Sequence, residues 1–239
     1  LDQIFPEYES VFFFFFSKTS KEILLLFSSP AEFESITSEQ LETALEQVSF
    51  KKFASKKISC ISNIAKTSFG ITFGLQSLTL QLKLLIKQIN FIEQQVHDVE
   101  IQIKQLLHKI NTPITTIPGI GDIIGATILG EIGDIERFSN PSKLVAYAGI
   151  DASVHQSGDY ISTNNKMSKR GSPYLRTALF RAALIASVHD PVFKAYYQKK
   201  RSEGKHHLTC LGAVARKLCY TIHAILKNNC EYKVQLPTE

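Results

Sequence analysis

LQSLTLQLKLLIKQINFIEQQVHDVEIQIKQLLHKI, residues 75–110, has the most regular pattern in the chain and contains neither glycine nor proline. Its apolar side chains recur at alternating spacings of three and four residues, at Leu75, Leu78, Leu82, Leu85, Ile89, Ile92, Val96, Val99, Ile103, Leu106 and Ile110. That spacing defines the a and d positions of a heptad repeat. We therefore expect a coiled-coil helix over residues 71–111, paired within the chain or between protomers. A long amphipathic helix packed on its own domain is the alternative.

Residues 1–70, ahead of this segment, are predicted to form a small helical region. Ser29-Pro30 places a capping residue before a proline at the first helical position. Thr37 and Gln40 have the spacing of a capping box, which marks the start of a helix. Residues 55–68 are a third candidate helix. No pattern typical of catalysis occurs in this region, so we expect it to serve as a packing unit.

The chain changes character after residue 111. Ile117-Pro118-Gly119-Ile120-Gly121 reads as a tight glycine-bearing turn, and residues 122–132 follow with an apolar helical pattern. Together with the end of the long helix this resembles a helix-hairpin-helix motif, whose backbone amides can donate to a phosphate oxygen. Gly119 and Gly121 are therefore predicted to bind nucleic acid. A plain helical hairpin, with glycines for close packing, is the alternative.

Charge is distributed unevenly over the 239 residues. Residues 1–136 hold 11 Lys/Arg against 16 Asp/Glu, a balance of −5, whereas residues 137–239 hold 16 against 6, a balance of +10. A basic half of this density indicates a polyanionic partner, most often nucleic acid. A solvated basic face on an ordinary helical domain is the alternative.

Composition and cysteine spacing exclude several classes of protein. Hydrophobic residues make up 44% and charged residues 21%, which is the range of globular domains. No window approaches the roughly 20 apolar residues that cross a bilayer, so we expect no membrane partner. The four cysteines form no CxxC pair, which favours a reducing, cytoplasmic location without a metal site. Because the chain begins with Leu1, we expect it to be a piece of something longer.

A second candidate site lies in residues 150–168, where helical periodicity breaks. Ser157 precedes Gly158 in a predicted hairpin or extended loop, and His155 is a weak candidate base two residues earlier. A serine hydroxyl can attack a phosphodiester where cationic donors neutralise the developing charge. The predicted donors, which would contact nucleic acid, are Lys166, Lys169, Arg170 and Arg176. A Ser-Gly pair is, however, more often only a turn.

The rest of this half is predicted to be helical, which makes the fold class mainly α. Helices are expected to start at Asn140-Pro141, Ser172-Pro173 and Asp190-Pro191, each a capping residue followed by proline. A last long helix is expected over residues 207–227. The chain is thus divided into a helical region over residues 1–70, a coiled coil over 71–111 and a C-terminal domain over 112–239.

Several blocks of this half resemble one protein family. They are PGIG at 118–121, LVAYAGI at 144–150, QSG at 156–158, KMSKRGSPYLR at 166–176 and GAVARKL at 212–218. Together they resemble the C-terminal transposase domain of bacterial insertion-sequence transposases that combine a four-carboxylate domain with a catalytic serine. The best-known members of that family are guided by a structured bridge RNA. The resemblance covers residues 111–233, and the coiled coil and preceding helices also look like the family's middle region.

The resemblance implies DNA transposition by serine attack on a DNA phosphate. The family's serine, which forms a covalent phosphoserine link to DNA, matches Ser157. The family's coiled coil joins protomers, which implies a homo-oligomer, and its partners are DNA and a structured guide RNA. Its carboxylate domain is RNase-H-like and binds Mg. Nothing in residues 1–70 resembles that domain, and Glu131, Asp134 and Glu136 lie in the wrong place, so the resemblance implies an N-terminally truncated transposase without a cofactor in this chain.

Two other functions stay open at this point. A non-catalytic nucleic-acid-binding module of helix-hairpin-helix type needs only the glycine-bearing turn and the basic half. A structural coiled-coil partner protein needs only the heptad segment.

Overall fold

The structure is a computed structural model, and it confirms a mainly α protein. It divides into two compact units, residues 1–97 and 98–239, with the boundary inside the longest helix. For residues 51–55 and for two short strands the description covers the backbone only. The described residues are 1–12, 14–37, 40, 43–44, 51–151, 156–157, 160–161 and 167–234.

The first unit contains three helices ahead of the long one in its described part. They are α1 (Lys18–Leu26), α2 (Pro30–Glu34) and α3 (Lys51–Ala65), preceded by a 3-10 turn over Pro6–Val11. Ser29 caps α2 as predicted, since its side chain accepts the backbone N–H of Glu32. The capping box is also present, because the side chains of Thr37 and Gln40 each accept the other's backbone N–H, at 3.3 and 3.2 Å.

Aromatic side chains form the core of this unit. Phe5, Tyr8 and Phe33 are almost completely buried, and their ring centroids lie 5.8 to 6.4 Å apart. The Tyr8 hydroxyl donates to the Ser20 carbonyl oxygen at 3.2 Å, which satisfies the one polar atom of this ring. Burial raises the pKa of Tyr8 above its usual range.

The long helix, α4 (Leu75–Ile110), confirms the predicted helix, although it begins four residues later than expected. Its predicted a and d residues are partly or largely exposed. Ile86 and Leu107, which belong to neither position, are instead the apolar residues that are buried. Six members of the heptad stripe are between 49% and 64% exposed: Leu85, Ile92, Val96, Val99, Leu106 and Ile110. The pairing of this stripe as a coiled coil stays a prediction.

The second unit packs five further helices around a buried centre. They are α5 (Asp122–Ile132), α6 (Pro141–Ala148), α7 (Pro173–His189), α8 (Pro191–Ser202) and α9 (His207–Asn228). Helix α7 packs against α5, α8 and α9, and its Leu175, Leu179, Ala182 and Ala186 are almost completely buried. The three predicted Xaa-Pro starts of α6, α7 and α8 are confirmed.

Two short strands interrupt the helices of this unit. Strand β1 (Gln156–Ser157) pairs antiparallel with β2 (Tyr160–Ile161), with Ser157 opposite Tyr160. This ladder confirms a small hairpin around Ser157. In the part of the chain that the structure describes, no helix is both long and apolar enough to cross a membrane.

Candidate nucleic-acid interface

The glycine-bearing turn at residues 117–121 sits between a 3-10 turn and α5. The 3-10 turn spans Pro113–Thr116, and Thr112 caps it by accepting the backbone N–H of Ile114. Ile114, Ile117 and Ile120 are buried and fix the turn to the core. The segment directly before the glycine-bearing turn is thus a single 3-10 turn and not the end of α4. The predicted helix-hairpin-helix function of this region stays a prediction.

The two glycines of this turn have different surroundings. Gly119 has a φ of +90°, and a Cβ added to it would lie 2.4 Å from the carbonyl oxygen of Ala182 on α7. Close packing against α7 therefore requires a glycine at position 119. Gly121 is exposed, has open space where a side chain would lie, and precedes α5 with extended backbone. Of the two glycines, only Gly121 is not required by packing, and its predicted role in phosphate binding stays a prediction.

A carboxylate lies beside these amides. Asp122 is the first residue of α5, and its carboxylate lies 3.4 Å from the ammonium of Lys104. Because the lysine offsets part of the negative charge of Asp122, the repulsion between this carboxylate and a phosphate at the start of α5 is reduced.

The hairpin that carries Ser157 is held at its two ends by contacts between residues 147–151 and 167–172, here called the clasp. Three backbone bonds join the segments: Ser168 N–H to the Asp151 carbonyl at 2.9 Å, Lys169 N–H to that of Gly149 at 3.0 Å, and Ser172 N–H to that of Tyr147 at 2.8 Å. The hydroxyl of Ser168 also donates to the Asp151 carboxylate. The two ends of the Ser157 segment are therefore fixed to each other and to α6 and α7.

Two glycines make this close approach possible. A Cβ on Gly171 would lie 1.9 Å from the Tyr147 carbonyl oxygen, and a Cβ on Gly149 would lie 2.7 Å from the amide nitrogen of Gly171. Gly149 also ends α6 in the left-handed region, with a φ of +65°. Side chains of any size at either position would separate the two segments. Lys169 adopts a φ of +53°, so the clasp holds a non-glycine residue in a conformation that is rare for it.

The predicted cationic donors fall into two groups. Lys169 and Arg170 belong to the clasp, and both residues are exposed. Arg176 is half-buried and donates from Nη1 to the Ala148 carbonyl oxygen at 3.2 Å, so its described partner is the clasp. Lys166, His155 and Gly158 lie outside the described residues, as does the side chain of Ser157.

A contact that the sequence did not predict joins α7 to α5. Ser172 caps α7 by accepting the backbone N–H of Leu175 at 3.1 Å, and its hydroxyl donates to the Glu131 carboxylate at 2.6 Å. The Ser172-Pro173 pair predicted the capping bond to Leu175. Nothing local marks Glu131 as the second partner, because it lies 41 residues away.

Three described acidic residues of this unit, Glu131, Asp134 and Glu136, each have a separate partner. Glu131 accepts from Ser172, Asp134 caps the 3-10 turn that follows α5, and Glu136 lies 3.9 Å from Lys227. Across the described ranges, no group of three or more His, Cys, Asp or Glu side chains is placed to hold a metal ion. The Mg site that the sequence resemblance implies belongs to another domain and stays an expectation.

The turn, the clasp and the Ser157 hairpin all lie within one segment that matches a known protein family. Residues 111–198 match the Transposase IS116/IS110/IS902 family, and this match confirms the resemblance drawn from the sequence blocks. Over these residues the chain is similar to insertion-sequence transposases.

Relatives of this chain come from several bacteria. A 43.6 kDa protein of insertion element IS110 from Streptomyces coelicolor is 28% identical over 166 residues, 69% of this chain and 41% of that protein. A 42 kDa protein of insertion element IS900 from Mycobacterium paratuberculosis is 29% identical, over 70% of this chain and 43% of that protein. A pilin gene-inverting protein from Moraxella bovis is 33% identical, over 48% of this chain and 36% of that protein. The chain thus spans less than half the length of these relatives.

Proposed function

We propose that this chain is the serine-bearing, DNA-binding part of an insertion-sequence transposase, and that Ser157 is its nucleophile. The observation that carries the proposal is the clasp. It fixes both ends of the Ser157 hairpin inside the segment that matches the transposase family. The name of the Moraxella relative, a gene-inverting protein, favours DNA recombination over a purely structural role.

The proposed reaction is an exchange of phosphodiester partners. The Ser157 Oγ attacks a DNA phosphorus, a serine–phosphate bond forms, and the bond to one bridging oxygen of the DNA breaks. The proton of the serine hydroxyl leaves to a base or to water, and the released DNA oxygen takes up a proton. The exposed Lys169 and Arg170 of the clasp, together with Lys166, supply positive charge where the phosphate becomes more negative.

Binding of the DNA backbone would also use groups outside the Ser157 hairpin. The amides at the start of α5, which follow the exposed Gly121, offer donors to a phosphate oxygen. Gly119 contributes by holding the turn against α7. These contacts are independent of base sequence, so they position the duplex and do not select a target.

The experiment compares Ser157→Ala with wild type on a DNA duplex in the presence of Mg²⁺ and of the family's carboxylate domain, supplied as a separate polypeptide. After denaturation in detergent, wild type should show a protein band shifted by covalently attached DNA, and Ser157→Ala should lack it while its DNA affinity is unchanged. Ser142→Ala, which removes an exposed serine hydroxyl from α6, is the matched control and should keep the shifted band. Loss of affinity in Ser157→Ala would make Ser157 structural. DNA binding by wild type without a covalent species would favour the non-catalytic nucleic-acid-binding module.

The protein is further proposed to form homo-oligomers through the exposed heptad stripe of α4. Leucine, isoleucine and valine side chains at a and d positions are buried when a second helix covers them. Replacing Ile92 and Val99 by aspartate should therefore lower the mass measured by size exclusion with light scattering. Lys87→Asp places the same carboxylate on the opposite face of the helix and should leave the mass unchanged. A wild-type monomer would contradict this proposal and the structural coiled-coil function.

A guide RNA and a Mg-binding carboxylate domain belong to the proposal for the whole transposase. The family resemblance supports both, and the carboxylate domain would act together with Ser157 of a partner subunit. Translating the DNA upstream of the codon for Leu1 would show whether the carboxylate set is encoded in frame.

A further inference from the structure

We propose that the turn between α8 and α9 is a second DNA-backbone contact, separate from the Ser157 hairpin and from the turn at residues 117–121. The surface, here called the basic tip, comprises residues 199–207. The choice of DNA as the partner rests on the proposed function. The basic tip lies just past the end of the family match at residue 198, so it is not part of the segment from which that function is argued.

The basic tip concentrates positive charge at one end of a helical hairpin. Lys199, Lys200, Arg201 and Lys205 stand against the single carboxylate of Glu203, and two histidines, His206 and His207, follow. Lys199, Arg201, Lys205 and both histidines are exposed. Lysine and arginine in the last turn of α8 also complement the helix dipole, but that effect does not extend to Lys205, which begins the next segment.

Hydrogen bonds hold this turn in one conformation. Arg201 donates from Nη1 to the Lys205 carbonyl oxygen at 2.7 Å, and the Gly204 N–H donates to the Arg201 carbonyl at 3.0 Å. Gly204 has a φ of +76°, the conformation that lets the chain turn sharply into α9. A pre-organised turn presents its cations without first having to be ordered by the DNA.

One carboxylate, that of Glu203, pairs with two lysines of the basic tip and neutralises part of their positive charge. Glu203 lies 2.9 Å from the Lys200 ammonium and 2.8 Å from that of Lys205. The hydrogen bonds from Lys205 and Lys200 lower the pKa of Glu203 to about 2, so the carboxylate stays ionised at neutral pH. Removing its charge should therefore free both lysines for a phosphate partner.

Aromatic rings extend the surface onto α9. The ammonium groups of Lys200 and Lys217 lie 5.7 and 5.0 Å from the centre of the Tyr196 ring, so cations of both helices meet on one tyrosine. The hydroxyl of Tyr197 is 2.7 Å from Nδ1 of His207. A positively charged surface with half-buried tyrosines matches a sugar-phosphate backbone better than it matches a membrane, since Leu208 is the one large exposed apolar side chain next to it among the described residues.

The test measures salt-dependent DNA binding by the full chain. Fluorescence anisotropy with a labelled DNA duplex is recorded over a series of salt concentrations for wild type and for Lys199→Gln/Arg201→Gln/Lys205→Gln. If the three side chains contact phosphates, the slope of log K against log salt should become shallower by roughly 2 to 3, about 0.9 for each lost contact. Circular dichroism checks that the variant remains helical, as expected for changes at exposed positions.

Two further variants make the result specific to the basic tip. Lys143→Gln/Lys227→Gln/Lys233→Gln removes the same charge elsewhere in the second unit and should change the slope by less than half as much. Glu203→Gln should bind the duplex more tightly than wild type, because Lys200 and Lys205 lose their carboxylate partner. Equal effects of the two triple variants would overturn the proposal, since net charge alone would then explain the binding.

The outcomes also separate this proposal from the proposed function. If wild type binds DNA and the basic-tip variant binds with an unchanged salt slope, the basic tip is not a contact, whereas the proposed function stands. If wild type does not bind DNA, both are wrong. An RNA hairpin and an acidic peptide serve as competitors, and a basic-tip variant that loses affinity for either of these but not for DNA would overturn the choice of partner.

Discussion

Replacing Gly171 by alanine should destabilise the second unit more than any other single methyl addition at its described glycines. The added Cβ would lie 1.9 Å from the Tyr147 carbonyl oxygen and 2.6 Å from the amide nitrogen of Gly149. Both are backbone atoms, so neither can rotate away as a side chain could. The clasp must therefore open, or the start of α7 must shift away from α6.

The expected loss follows from what opens. Overpacking a tight site typically costs about 1–3 kcal/mol. Separating the segments also weakens the three clasp bonds at 2.8 to 3.0 Å, and each such bond contributes about 0.5–1.5 kcal/mol. Since the chain relaxes partly and not every bond is lost, we expect Gly171→Ala to lower the free energy of unfolding by about 3–5 kcal/mol.

Urea unfolding followed by far-UV circular dichroism measures this loss, and amide hydrogen exchange of residues 147–151 and 167–172 locates it. Gly130→Ala is the matched control. Gly130 lies inside α5 with open space around it, so alanine there should stabilise by about 0.5–1 kcal/mol through helix propensity. A Gly171→Ala variant as stable as wild type, with unchanged exchange in the clasp, would refute the argument.

Three other experiments test cationic contacts, helix capping and thiol burial. Arg176→Gln should lower the unfolding midpoint with little change in the salt slope of DNA binding, because Arg176 is bonded to the Ala148 carbonyl. Arg170→Gln should make the salt slope shallower and leave the unfolding midpoint unchanged, because Arg170 is exposed. Asp190→Ala should lose about 1–3 kcal/mol in a urea titration, because Asp190 both caps α8 and accepts from the Tyr232 hydroxyl at 2.9 Å, and Asp190→Asn should retain most of that stability. Burial raises the pKa of the Cys219 thiol to about 12, so at pH 8 this thiol stays protonated and unreactive in the folded protein. In a thiol-reagent titration, two cysteines should react quickly and two only after unfolding, namely Cys60 and Cys230 against Cys210 and Cys219.

Helix starts could be predicted because a cap is a local interaction. Asn140, Ser172 and Asp190 each precede a proline, and each side chain accepts the backbone N–H three residues further on, at 3.1, 3.1 and 2.8 Å. The residues that make these bonds are neighbours in sequence, so their spacing carries the information. The same holds for the capping box of Thr37 and Gln40.

The clasp could not be predicted in this way. In sequence, Gly149 and Gly171 read as two unrelated loop glycines, and their contact depends on how α6 and α7 pack. Arg176 has the spacing of a phosphate ligand, yet its bond to the Ala148 carbonyl follows from that packing. The aromatic core of the first unit was missed for a related reason, since Phe5, Tyr8 and Phe33 follow no helical period.

The heptad stripe shows a different limit. Its period correctly predicted that α4 is a helix, because helical spacing is a property of a single segment. What covers the stripe is decided by a partner surface. At its start, α4 packs on the first unit through the a/d residues Leu75, Leu78 and Leu82 together with the buried Ile86, whereas the later a/d residues are exposed. Sequence periodicity thus predicted the helix, while its mode of pairing needs a measurement on the assembled protein.

The clasp also determines how freely the Ser157 segment can change. Because the backbones of Gly149 and Gly171 lie in close contact, the chain between them forms a closed loop whose ends stay at a fixed separation. Extending such a loop adds little entropy loss, about 0.6 kcal/mol for each doubling of its length. Insertions and replacements between the two glycines can therefore alter the surface around the serine while α6 and α7 remain packed. The fold thereby separates the part of the domain that must be stable from the part that can diversify.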